Sequence, residues 1–228
     1  MTDLTFAAPK TVLVPTADDR RFPVRRIFCV GRNYAEHARE MGADPDRESP
    51  FFFCKPADSV VVGGAPTPYP ARTRLLHHEV ELVVAIGIVG AEIPVAAALD
   101  HVWGYAVGID MTRRDLQAEA KSHGRPWDMA KGFDASAPLG RLFPVGSVGH
   151  PHAGEISLQV NGEARQRADI GELIWNVSEI IAELSTLVRL EPGDLIYTGT
   201  PAGVGPVVRG DRITASIAGL GSLETVIV

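Results

Sequence analysis

The chain is 228 residues long and 45% hydrophobic, with 28 acidic and 22 basic side chains and a formal net charge of −6. That is enough apolar material for one full core without a second domain, and an acidic chain with no basic block argues against nucleic acid or an anionic membrane as main partner, leaving small-molecule chemistry. Cys29 and Cys54, the two cysteines, sit in apolar runs without metal-like spacing and read as reduced, buried thiols; with no signal-peptide pattern and no run long enough to span a bilayer, a soluble cytoplasmic protein is expected.

In chain order, residues 1–25 hold prolines and the charged run Asp18-Asp19-Arg20-Arg21, and read as an N-terminal arm or edge hairpin ahead of a single domain over 26–228. The body starts with a strand at 26–30. Gly31-Arg32-Asn33 turns the chain, and Asn33 is placed to cap a helix over 34–41, with Glu36 completing a capping box and Gly42 as the stop. Residues 43–75, dense in Pro and Gly around Phe51-Phe52-Phe53, predict irregular structure and short strands. A β-branched strand follows over 79–86, a helical turn over 93–99, a strand over 102–109 ending on Asp110, and a helix over 113–122.

The second half is richer in β signals. Residues 155–160 and 163–167 predict a hairpin on the type I′ turn Asn161-Gly162. Residues 176–187, with Ile180, Ile181, Leu184 and Leu187 at helical spacing, predict an amphipathic helix ended before Glu191-Pro192-Gly193-Asp194. Strands at 195–198, 211–217 and 223–228 finish the chain, and the class is β-rich α+β.

The chemistry begins with Glu79 and Glu81. One residue apart on a strand, both carboxylates point the same way, so they either look out to water or share a cation held by oxygen ligands. Asp110 closes an apolar strand, where a charge must be paired, exposed, bound to metal or used as a helix cap. With the two glutamates it would complete a three-carboxylate set of the kind Mg²⁺ or Mn²⁺ prefers. Zinc through His77 and His78 is the rival, weakened because adjacent strand residues face opposite ways.

His37 and Glu40, three apart on the predicted helix, share a face; they form either a carboxylate-oriented general base or an exposed ion pair. Lys131, in Met129-Ala130-Lys131-Gly132-Phe133, could meet an anionic substrate or snorkel to the surface. The run from Gly199 to Gly205 lacks the ending of a phosphate loop and reads as a tight loop offering backbone N–H groups and the Thr200 hydroxyl to a carboxylate, or as a plain turn.

Taken together, Gly31-Arg32-Asn33-Tyr34 with His37 and Glu40, Phe53 with Lys55-Pro56, His78-Glu79-Val80-Glu81-Leu82, Gly104-Tyr105 with Asp110, Arg114-Asp115-Leu116-Gln117, Lys131, and the run Thr198 to Gly205 resemble the fumarylacetoacetate hydrolase family over nearly the whole chain. The resemblance implies a rolled set of mixed sheets, like the C-terminal domain of that family, and a homodimer. It implies a divalent metal on Glu79, Glu81 and Asp110, Mg²⁺ or Mn²⁺, with Ca²⁺ able to stand in within crystals. It further implies His37 and Glu40 as the water-activating pair on a mobile lid, Lys131 at the oxyanion, and Arg32, Arg114, Gln117 and Thr200 as substrate contacts. The separate N-terminal domain of larger members is not expected.

Residues 20–42 and 113–139 look most like fumarylpyruvate hydrolases of gentisate-type aromatic catabolism, which cleave an acylpyruvate to fumarate and pyruvate. Decarboxylation of oxaloacetate and isomerisation of a 2-oxo acid are the alternatives within the family. A noncatalytic metal- or oxo-acid-binding protein is the alternative outside catalysis.

Overall fold

In the computed structural model, which describes residues 4–40 and 49–228, the sheet that carries the site is built on two strands, Val80–Ile86 and Val102–Ile109, paired antiparallel. Every residue of Val80–Ile86 is buried, because both faces are covered. Val80, Leu82, Val84 and Ile86 enter the larger core, and Val83 and Ala85 enter a smaller one behind. Outward from Val80–Ile86 come Asp194–Tyr197, antiparallel to it, then Arg26–Gly31 and Phe51–Lys55; beyond Val102–Ile109 lie Ala137–Leu139 and Val60–Val62. A second, four-stranded sheet of Glu163–Asp169, Glu155–Val160, Arg212–Ile217 and Gly221–Val226 closes over the larger core with Ile156, Leu158, Ile213 and Leu223. The arrangement is α+β, strand-rich and curled, as expected.

Several local expectations hold. The Asn161-Gly162 turn has both residues at positive φ, 54° and 82°, and pairs Val160 with Glu163, the geometry of a type I′ hairpin. The helix Val177–Leu187 starts at Asn176, whose side chain accepts from the Glu179 N–H while the Glu179 carboxylate accepts from the Asn176 N–H. Its Ile180, Ile181 and Leu184 are buried; Leu187, the last residue of the helix, is exposed. Residues 13–23 form a hairpin, Leu13–Pro15 with Arg21–Pro23, that buries Val14 and Phe22 in the smaller core.

Other expectations are corrected. The strand expected over 79–86 begins at Val80; Glu79 is the break between it and Leu76–His78, which pairs in a separate three-stranded sheet with Gly205–Val207 and Thr112–Arg113. Asn33 does not cap the helix Ala35–Glu40: its amide donates to Trp175 O and Thr198 O and accepts from Trp175 N–H, tying three distant segments together. Glu36 pairs instead with Arg39. The proposed stop at Gly42 lies outside the described residues. Cys29 is buried but Cys54 is exposed, because it sits on the outward face of the edge strand Phe51–Lys55; both are free thiols. No helix among the described residues is long and apolar enough to cross a membrane.

Candidate active site

The register of the two central strands builds the acidic centre. Glu81 lies opposite Gly108, and the Asp110 N–H donates to Glu79 O at 2.8 Å, so Glu79, Glu81 and Asp110 fall on one face at one end of the strand pair. Gly108 has no side chain to fill the space beside Glu81; a Cβ there would come within 2.5 Å of Val83 and 2.7 Å of Tyr197. The three carboxylates are buried, with ligand oxygens within 4.8 Å of one another.

Three cations answer this buried negative charge. Lys131 Nζ lies 2.7 Å from Glu79 Oε2, 2.6 Å from Asp110 Oδ2 and 2.7 Å from Thr112 Oγ1, which accounts for all its N–H groups as placed. Arg114 donates to the other Glu79 oxygen and to Gln117 Oε1. Lys55 Nζ lies 2.7 Å from Asp110 Oδ1 and donates to the carbonyls of Met111, Lys131 and Ser136.

These partners divide the acids. Burial alone would raise Glu79, but Lys131 and Arg114 hold it well below the usual carboxylate range. Glu81 is pushed well above that range, by burial and then by the Asp110 and Glu79 charges, against the single Gly199 N–H it accepts at 2.8 Å. Burial would lower Lys131, yet Asp110 and Glu79 carry it above its ordinary value.

The donor set fits a divalent cation. All three side chains offer hard oxygens, and Asp110 Oδ1 has no hydrogen-bond donor among the described residues despite the nearby Lys55 charge. Glu81, whose charged form is disfavoured by burial and by two neighbouring acids, is likewise a ligand short of a cation. Zinc through the histidines finds no geometry here. His77 Nδ1 faces Arg114 Nε and His78 Nδ1 faces Gln166, on opposite sides of the chain.

The short helix Ala35–Glu40 supplies the second part. His37 is buried on it, and its Nδ1 meets Glu40 Oε2 at 3.2 Å. A carboxylate accepts, so Nδ1 carries the proton and Nε2 is the basic nitrogen. Burial holds the imidazole below its ordinary pKa, against the raising effect of Glu79 and Glu40, which keeps it neutral. Glu40 is itself held by the Gly203 N–H at 3.2 Å. The loop after Thr198 thus presents backbone N–H groups to carboxylates, as expected, and the carboxylates are the chain's own Glu81 and Glu40.

A cavity of about 200 Å³ joins these parts. Its lining contains Glu79, Glu81, Asp110, Lys131, His37, Arg32, Arg114, Gln117 and Thr200, every expected site residue except Glu40, which stands behind His37. Phe53 and Trp127, edge to face at 6.2 Å, supply its apolar wall. Sequence reasoning gave no role to Lys55, Trp127 or Gln166. A lysine closing an aromatic strand was a signal of the same kind as Asp110; Gln166, on a hairpin of mostly exposed residues, carried none.

Residues 26–228 match the family described as fumarylacetoacetate (FAA) hydrolase C-terminal. The structure of fumarylpyruvate hydrolase from Pseudomonas aeruginosa in complex with Mn²⁺ and pyruvate superposes with a TM-score of 0.97, at 55% identity and over 99% of each chain. The 5-carboxymethyl-2-hydroxymuconate delta-isomerase from Mycobacterium smegmatis is 34% identical with a TM-score of 0.81, over 96% of this chain and 82% of its own. By sequence, the human mitochondrial oxaloacetate tautomerase FAHD1 is 46% identical over 199 residues, 87% of this chain and 90% of that protein.

Proposed function

The chain belongs to the fumarylacetoacetate hydrolase family, and on that premise we propose that it is a metal-dependent hydrolase cleaving the C–C bond of an acylpyruvate, fumarylpyruvate to fumarate and pyruvate, as gentisate-type aromatic catabolism requires. The observation that carries this reading is the neutral His37, oriented by Glu40 and lining the same cavity as the three carboxylates. Hydrolysis needs a base for water, and this is a base with its proton on the far nitrogen. The P. aeruginosa fumarylpyruvate hydrolase, with Mn²⁺ and pyruvate bound, supports the substrate class. Charge supports it as well. With all three acids ionised, as ligands of a divalent cation would be, Lys55, Lys131 and Arg114 match Glu79, Glu81 and Asp110 in charge, so the cation's own charge would be left for a dicarboxylate to neutralise.

A divalent cation on Glu79, Glu81 and Asp110 would supply Lewis-acid polarisation of the 2-oxo acid end and relieve the charge of the departing fragment. Arg114, Gln117, Arg32 and Thr200 orient the substrate's carboxylates and ketone. His37 Nε2 takes a proton from water as its oxygen attacks the ketone carbon of the fumaroyl group; Glu40 stabilises the resulting imidazolium. Lys131, which touches both Glu79 and Asp110, is the cation placed to turn an N–H toward the tetrahedral oxyanion. The C–C bond then breaks to give fumarate and the enolate of pyruvate, whose carbon takes the proton held by His37 to give pyruvate.

A second reading is favoured by the 46% identity to oxaloacetate tautomerase FAHD1. There the same base would move a proton between carbon and enol oxygen with no water added. The test is loss of diketone absorbance when the protein meets fumarylpyruvate with Mg²⁺ or Mn²⁺, with enol-to-keto conversion and decarboxylation of oxaloacetate followed in parallel and a chelator control. Chelator-sensitive formation of fumarate and pyruvate supports the hydrolase. Faster tautomerisation or decarboxylation of oxaloacetate moves the assignment to that reaction, and stabilisation by pyruvate without turnover of either substrate would make the protein a binder. We further propose that residues 26–228 act as one catalytic domain, with 1–25 as an arm, in a homodimer that sedimentation would detect.

A further inference from the structure

We propose that Gln166 is a positioning residue that makes Thr200 a hydrogen-bond donor to the carboxylate of the bound oxo acid. This rests on the functional reading above for its ligand and on a separate observation for its mechanism.

Gln166 belongs to the four-stranded sheet, not to the sheet carrying the acids, and on the strand Glu163–Asp169 it is buried among exposed neighbours. A bulge aims it inward. Leu158 pairs with Gln166 while the next residue, Gln159, pairs with Ala164, which leaves Arg165 as the extra residue. The loop from Thr200 packs directly on this bulge, so closely that a Cβ on Gly203 would fall 2.0 Å from Arg165 O.

Two backbone partners orient the amide without ambiguity. Its Oε1 accepts from the Val80 N–H at 3.0 Å, between the two glutamates, and its Nε2 donates to Pro201 O at 2.8 Å. A backbone N–H can only donate and a carbonyl can only accept, so the amide cannot be flipped. Two consequences follow. The second Nε2 hydrogen goes to Thr200 Oγ1 at 2.8 Å, so the threonine oxygen accepts and its own proton is directed to an acceptor in the cavity that Thr200 lines. And His78 Nδ1, 3.0 Å from Oε1, must carry the hydrogen, leaving Nε2 bare. That atom is buried without a hydrogen-bond partner among the described residues.

The experiment is a mutant cycle of Gln166→Met, Thr200→Val and the double variant, read as pyruvate affinity of the Mg²⁺-loaded protein by calorimetry, with Mg²⁺ affinity and melting temperature as controls. Each single change should weaken pyruvate about tenfold, the loss of one hydrogen bond to a charged group, and the double variant should be no weaker than either. Additive losses, or Thr200→Val binding pyruvate like the parent, would overturn the proposal. Nitrogen NMR of His78 in the unaltered protein is independent of folding in the variants: hydrogen on Nδ1 supports the assignment, and hydrogen on Nε2 overturns it. Failure of the unaltered protein to bind pyruvate would instead overturn the functional reading.

Discussion

A buried carboxyl that releases its proton less readily than usual is the feature of this site most open to measurement. Glu81 is raised above the ordinary glutamate range by burial and by two neighbouring acids, so the metal-free folded chain binds a proton that the unfolded chain has released, and Glu81's contribution to stability falls as pH rises above that range. A divalent cation must displace this proton. Mg²⁺ affinity, titrated calorimetrically across pH, should therefore rise as pH rises through and above the ordinary glutamate range, and an affinity indifferent to pH there would count against Glu81 as a ligand. His37 has the opposite sign. Its pKa lies below the ordinary value of 6.5, so the acid limb of kcat/KM should fall below pH 6.5 and a limb above it would reject His37 as the base. His37→Ala should lower kcat by about 10²- to 10⁴-fold while leaving Mg²⁺ affinity nearly unchanged; equal loss of metal would point to a damaged fold.

At the scale of elements, the loop after the strand Asp194–Tyr197 does more than its turn-like composition announced. Gly199 N–H holds Glu81, Gly203 N–H holds Glu40, and Thr200 meets Gln166, so one loop joins metal centre, base and opposite sheet. Gly203→Ala tests this: at φ 92° and with Arg165 O in the way, the added methyl should cost about 2 kcal/mol or more in urea unfolding, together with a fall in kcat as Glu40 loses its anchor. A kcat that holds while stability drops would separate the loop from the base. Elements with local instructions were legible: the Asn161-Gly162 hairpin follows from its turn residues, and the helix Val177–Leu187 from its apolar spacing. Asn33 misled because an asparagine before a helix is equally able to cap it or to bond across the chain, and only the nearness of Trp175 and Thr198 decides.

At the scale of the whole molecule, two sheets and two cores position a site that neither could hold alone. The N-terminal hairpin belongs to this framework: Val14 and Phe22 are buried in the smaller core, with Phe22 5.3 Å from the Trp103 ring. Deleting residues 1–25 should lower unfolding free energy by about 3 kcal/mol or more, at about 1.5–3 kcal/mol for each fully buried side chain; unchanged stability would make the segment dispensable. The sequence by itself determined the fold class, most strand and helix positions and the acids of the site, because periodicity, turn chemistry and acids at strand ends are local or near-local signals, while Arg32, Arg114 and Gln117 were legible only through the family resemblance and Trp127 not at all. What only the tertiary structure decided is who answers whom. That Lys131, Lys55 and Arg114 converge on three acids, and that Gln166 reaches from another sheet to Thr200, depends on the register of strands far apart in the chain, and charge compensation in a buried site is a property of that packing rather than of any one segment.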